Sequence, residues 1–176
     1  MMKIAVIGAG QMGNGIAQVA ASAGYEVLMI DIKEEYVDRG MATIQKSLSK
    51  LVSKERISQS DADDTLARIS TTTDRGECAD VDLVVEAVPE ILDLKTSIFS
   101  ELDEICKPEC ILASNTSSIS ISTIANATNR PEKVIGMHFM NPVPIMKLVE
   151  IINGDQTSEA TNSSVVEAAE KMGKIC

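Results

Sequence analysis

Three glycines carry the first chemical signal in this chain. The apolar run Lys3 to Ile7 leads directly into Gly8-Ala9-Gly10-Gln11-Met12-Gly13. A second apolar run, Val27 to Ile30, ends on an acid, Asp31. Gly8 permits a tight turn out of the strand, Gly10 lets backbone approach a diphosphate, and Gly13 lets the next helix pack close to the strand. The helix start at Gln11 and Met12 offers unpaired N–H groups and the positive end of a helix dipole to phosphate. Asp31 lies where a carboxylate accepts hydrogen bonds from two ribose hydroxyls and repels a 2′-phosphate. NAD is therefore expected over NADP, a preference that nearby Lys33 tempers.

A second constellation follows later. Ser114-Asn115-Thr116-Ser117-Ser118 comes after the apolar run Cys110 to Ala113, so small polar groups gather where a strand ends. His138-Phe139-Met140-Asn141-Pro142-Val143-Pro144 follows another apolar run and contains the chain's single histidine. Pro142 and Pro144 stiffen the backbone that holds His138 and Asn141. Glu150 then places a carboxylate in the apolar stretch Leu148 to Ile152. Imidazole titrates near neutrality and suits proton transfer. Ser117, His138 and Glu150 are also the residue types of a hydrolase triad. That reading lacks a Gly-x-Ser-x-Gly elbow and leaves the three glycines unexplained. Glu90 and Lys95 follow Val85-Glu86-Ala87-Val88-Pro89, at the end of a sheet that faces ligand; taken alone they read as a solvated helix start.

Strand and helix patterns alternate, which predicts an α/β fold with a mostly parallel sheet. Strands are expected at Lys3–Ile7, Glu26–Ile30, Ile69–Thr72, Asp82–Ala87, Cys110–Ala113, Val134–His138 and Leu148–Ile152. Helices are expected from Gln11 to a stop near Gly24, then at Lys33–Ser53, Ser60–Arg68, Leu92–Cys106, Ile121–Ala125 and Ser158–Met172. The long second helix carries Tyr36, Val37, Met41, Ile44, Leu48 and Leu51 near a period of about 3.6. The ending Gly173-Lys174-Ile175-Cys176 looks like a strand cut short. No linker or repeat divides the chain, so one doubly wound, Rossmann-like domain with helices on both faces is expected over residues 1–176.

Composition narrows the alternatives. The formal charge of −10 and the lack of tryptophan argue against nucleic acid, which needs a basic face and stacking platforms. No apolar run is long enough to span a membrane, and the N-terminus enters a strand without a leader pattern, so a cytoplasmic location is expected. Cys106 and Cys110 have a spacing that would serve a metal on a helix, but Pro108 lies between them; buried free thiols and no metal are the expectation.

The motifs at 8–13, Ser-Asn-Thr-Ser-Ser at 114–118, and His-Phe-Met-Asn-Pro-Val-Pro with Lys-Leu-Val-Glu at 138–150 resemble the N-terminal part of the 3-hydroxyacyl-CoA dehydrogenase family, most of all its bacterial short-chain 3-hydroxybutyryl-CoA branch. The resemblance covers essentially the whole chain. It implies NAD-dependent oxidation of (S)-3-hydroxyacyl-CoA to 3-ketoacyl-CoA, and the reverse. His138 would be the acid/base, Glu150 its partner, and Ser117 a ligand of the substrate's C3 oxygen. Asn115 and Asn141 would position cofactor and substrate, and Glu90 and Lys95 would lie near NAD. Ser47 and Lys54, seven apart on the second helix, would contact coenzyme A within a basic island of Lys46, Lys50, Lys54 and Arg56.

In the resembled family a helical domain follows, closes the cleft over acyl-CoA and carries the main dimer interface. Nothing after Cys176 corresponds to it, so the chain is expected to bind NAD and to show little activity alone. The competing expectation is a non-catalytic NAD-binding module.

Overall fold

The computed structural model describes residues 2–176. Seven strands form one sheet: β1 (Lys3–Ile7), β2 (Glu26–Ile30), β3 (Ile69–Thr72), β4 (Leu83–Glu86), β5 (Ile111–Ser114), β6 (Val134–Phe139) and β7 (Val149–Asn153). Their order is β3-β2-β1-β4-β5-β6-β7. The order reverses between β1 and β4, and in an open α/β sheet a ligand crevice forms at that switch point, beyond the carboxyl ends of the strands.

The helices are α1 (Gln11–Ser22), α2 (Glu34–Ser53), α3 (Gln59–Ala67), α4 (Leu92–Ile105), α5 (Ile121–Ala125) and α6 (Glu159–Lys171). Alternate strand residues feed two cores. Ile4, Val6, Val27 and Met29 pack with α1, α2, α3 and α6 on one face. Ala5, Ile7, Val84 and Leu112 pack with α4 and α5 on the other.

Helix and strand boundaries agree with the sequence pattern to within a residue or two. Gly24 does stop α1, at a φ of +100° that a side chain would resist. Ser158 caps α6 through the Thr161 N–H. Two features have no periodic signature. The polar stretch Arg75–Asp80 is a 3-10 turn, begun by Asp74, whose carboxylate accepts the Gly76 N–H at 2.8 Å. Ser58 and Asp61 form a reciprocal capping box that starts α3 one residue before the expected Ser60.

β7 runs antiparallel to β6 while the other pairings are parallel. The chain end does return beside the sheet: Leu148 bridges Ile175 in parallel, with the Val149 N–H donated to the Ile175 carbonyl at 2.9 Å. Cys78, Cys106 and Cys110 are buried free thiols and Cys176 is exposed. Burial, chiefly, pushes the Cys78 thiol up to about 12, so it is an inert core residue.

Candidate functional site

The glycine loop behaves as its spacing predicts. Gly8 turns out of β1 at a φ of +109°, and a Cβ there would lie 2.6 Å from the Ala87 carbonyl oxygen. A Cβ on Gly13 would lie 1.9 Å from the Gly8 oxygen, so α1 can approach β1 only without one. Gly10 differs from both. A Cβ there would meet no protein atom within 4 Å, and would instead fill open space before the helix start. No side chain caps α1, so its first N–H groups stay available to a ligand. Open space facing free N–H groups can accept an anionic group.

Asp31 closes β2 beside this loop. One carboxylate oxygen accepts the Ala9 N–H at 2.9 Å and the other the Ile32 N–H at 2.7 Å. These bonds fix the carboxylate at the rim and leave it lone pairs for hydroxyl donors. A groove of about 550 Å³ runs past Gly8, Gly10, Gln11, Met12 and Asp31. Its outer walls are Ile32, Tyr36, Leu94 and Ile98, with Arg75 among them. Met12, Ala87, Val88 and Pro89 also border a second cavity of about 340 Å³, which holds Glu90, Asn115, Ser117, His138 and Asn141. The two cavities make one crevice along the carboxyl edge of the sheet.

His138 lines the second cavity, and Glu150 is its direct partner across the antiparallel pair of β6 and β7. His138 Nδ1 lies 2.9 Å from Glu150 Oε1. A carboxylate can only accept, so Nδ1 carries the proton, and in the neutral ring Nε2 keeps a free lone pair. Asn115 Oδ1 accepts the Phe139 N–H at 2.7 Å, which ties the end of β5 to the end of β6. Asn141 is exposed and begins the segment that leads to Glu150. No hydrogen bond joins Ser117 to His138 among the described residues; the Ser117 hydroxyl instead lies 3.4 Å from Glu90. The serine triad therefore has no nucleophile–base contact here.

Glu90 lies at an exposed helix start, as the sequence suggests, but Lys95 does not stand in solvent. Lys95 is 1% exposed, with Nζ 2.5 Å from fully buried Glu86 and 3.1 Å from Glu90. It also donates to the Val88 carbonyl at 3.1 Å. Enclosed between two carboxylates, the ammonium is spent on holding the crevice floor. Any influence on a cofactor would pass through Glu90. Glu86 further accepts from the Ser114 hydroxyl at 2.5 Å and the Val88 N–H at 2.8 Å.

Glu90 gathers the polar loop. Its Oε2 accepts from the Thr116 hydroxyl at 2.8 Å, the Ser118 hydroxyl at 2.9 Å and the Ser117 N–H at 3.2 Å. Burial opposes its charge, but the bonds from Thr116, Ser118 and Lys95, with the Lys95 charge, outweigh that and hold its carboxyl down at about 2. This network joins residues that no contiguous motif connects. The only trace in the sequence is two acids and a lysine flanking Val-Pro.

Ser47 and Lys54 stand apart from the crevice. Ser47 is half-buried on α2, and Lys54 is the exposed residue that ends that helix. Lys46, Lys50, Lys54 and Arg56 are all exposed and form no ion pair among the described residues, so the basic island exists as a solvated surface.

Comparison with known proteins places this geometry in context. The family model for the 3-hydroxyacyl-CoA dehydrogenase NAD binding domain matches residues 3–176. The probable 3-hydroxybutyryl-CoA dehydrogenase of Deinococcus radiodurans is 56% identical over 174 residues, covering 98% of this chain and 62% of its own. The 3-hydroxybutyryl-CoA dehydrogenase of Clostridioides difficile is 45% identical, with 99% and 62% covered. The crystal structure of (S)-3-hydroxybutyryl-CoA dehydrogenase from Ralstonia eutropha aligns with a TM-score of 0.97 at 44% identity, again over 99% of this chain and 62% of that one. The chain thus spans about three fifths of the length of these relatives.

Proposed function

The chain belongs to the 3-hydroxyacyl-CoA dehydrogenase family as its NAD-binding domain, and from that premise we propose that it serves the interconversion of (S)-3-hydroxyacyl-CoA and 3-ketoacyl-CoA, with short acyl groups such as 3-hydroxybutyryl. The cofactor is NAD. Its diphosphate would rest on the N–H groups at Gly10 to Gly13 and its adenosine ribose on Asp31. The open space before Gly10 supports this fit. When bound, NAD supplies the acceptor for the substrate hydride.

The observation that carries the reading is the His138–Glu150 pair at 2.9 Å, on the same crevice as the glycine loop. With Nδ1–H directed at Glu150, Nε2 takes the proton from the 3-hydroxyl during oxidation and returns it during reduction. Glu150 fixes the tautomer and stabilises the imidazolium while the proton is held. The Ser117 hydroxyl, steadied from behind by Glu90, orients the C3 oxygen toward Nε2. Asn115 keeps β5 and β6 in register, so that serine and histidine face one space. Asn141 borders that space. On α2, Ser47, Lys54 and the surrounding cations suit the phosphates of coenzyme A.

The proposed setting is the cytoplasm, and among the described residues no helix is long and apolar enough to cross a membrane. We further propose that these 176 residues alone bind NAD but turn over slowly, because Glu150 is 51% exposed and the crevice is open to water that hydride transfer must exclude. The same openness favours the second reading, a module that binds NAD without turnover.

The test is titration with NADH followed by reduction of acetoacetyl-CoA. The expected outcome is saturable NADH binding with slow turnover, and a loss of roughly 10²–10⁴-fold in rate in His138→Gln at unchanged NADH affinity. No NADH binding would sink the cofactor assignment, and a His138→Gln variant as fast as the parent would sink the acid/base role. Binding with no turnover, even when a helical partner chain is supplied, would select the module.

A further inference from the structure

We propose that Arg75 forms the adenine-binding wall of the crevice, its guanidinium plane stacking on the base of the dinucleotide, with Glu101 as the residue that positions it; this rests on the cofactor reading above.

The argument begins with strand order. The segments after β1, β2 and β3 lie side by side at one edge of the sheet. After β1 comes the glycine loop, which faces phosphate. After β2 comes Asp31, which faces ribose. After β3 comes Arg75, the first residue of the 3-10 turn. A nucleotide laid along this edge presents phosphate, sugar and base in that same order. The walls around Arg75 are apolar, contributed by Ile32, Leu94 and Ile98, and they suit a flat heteroaromatic ring.

The guanidinium is held in a defined plane. Its Nη2 and Nε both donate to Glu101 Oε2, at 2.7 Å and 3.2 Å, which straps the turn to α4. The turn itself is anchored by the Asp74 cap. These bonds lie in the plane of the guanidinium, which borders the groove, and a planar guanidinium stacks on aromatic faces as a lysine ammonium cannot. A cation in this place would otherwise suit a 2′-phosphate, but the Asp31 carboxylate borders the same groove and opposes that charge.

The experiment compares the parent chain with Arg75→Ala and Arg75→Lys by calorimetric titration with NAD, ADP-ribose, NADP and nicotinamide mononucleotide. Arg75→Ala is expected to weaken NAD and ADP-ribose together by roughly three- to tenfold. Nicotinamide mononucleotide, which has no adenine, should be unaffected, and Arg75→Lys should recover little. The inference is overturned if Arg75→Ala binds ADP-ribose like the parent while its thermal midpoint falls, since Arg75 would then serve only the Glu101 strap. Full recovery in Arg75→Lys, or a loss confined to NADP, would overturn it too, because a point charge would then be the agent. Failure of the parent to bind NAD and ADP-ribose would instead reject the cofactor reading, and the inference with it.

Discussion

The two halves of the crevice are built from different materials. On the β1–β3 side the ligand surface is mostly backbone: three glycines, the N–H groups of a helix start, and one carboxylate held by the Ala9 and Ile32 amides. On the β4–β7 side it is made of side chains that reach across the sheet: Ser114 to Glu86, Lys95 to both carboxylates, Glu90 to the 116–118 loop, and His138 to Glu150. A backbone-built surface is sensitive to any added atom. A side-chain surface, resting on a buried ion pair, is sensitive to charge and forgiving of small changes in shape.

The largest expected effect tests the charged half. Lys95→Met leaves Glu86, which is 0% exposed, without its countercharge. Removing one member of a buried pair costs about 3–5 kcal/mol, whereas replacing both is far milder. Urea unfolding should therefore show a steep loss of stability in Lys95→Met and recovery of most of it in Lys95→Met with Glu86→Gln. A single-variant loss below about 1 kcal/mol, the scale of an exposed pair, would show that the two halves do not differ in this way.

The backbone half is tested by two glycines three residues apart. Gly13→Ala forces a Cβ to within 1.9 Å of the Gly8 oxygen, backbone against backbone. It should cost about 1–3 kcal/mol or more of stability as well as NAD binding. Gly10→Ala should cost no stability. Its φ of −71° suits any residue and its Cβ meets no protein atom. It should nevertheless weaken NAD about tenfold or more, roughly 1.4 kcal/mol, because the methyl occupies the diphosphate's space. Paired unfolding and binding titrations separate these outcomes. Equal stability losses in the two variants would refute the distinct role assigned to Gly10.

The same division explains what was legible in the sequence. The glycine loop, Asp31 and the alternation of strands and helices are local patterns, and local patterns survive being read in a line. His138 and Glu150 were recognisable as residues, but their contact depends on β7 turning back antiparallel, which aligns 138 with 150. Periodicity does not report strand direction. From sequence alone Lys95 reads as solvated, because a lysine near a helix start is ordinarily wet. Its burial depends on Glu86 from one strand and Glu90 from a turn, a convergence that spacing alone does not predict. Arg75 lay in a polar stretch with no period at all, and only the arrangement of β3 beside β2 brings it to the groove.

The smallest expected effect separates the halves by acid. Glu90 is held at about 2, below its ordinary value of 4.5, by donors from the 116–118 loop and Lys95 acting against burial. A carboxyl with a depressed native value stabilises the fold fully above its unfolded value. That contribution fades as pH falls from about 4.5 towards 2. Allowing for solvent screening at a side chain that is 39% exposed, its size is about 1 kcal/mol. Stability curves of the parent and Glu90→Gln should therefore lie apart above pH 4.5 and converge toward pH 2. Curves that stay parallel through that window would show that the serine loop is held by shape and not by the Glu90 charge. The charged half would then be confined to the Glu86–Lys95 pair beneath it.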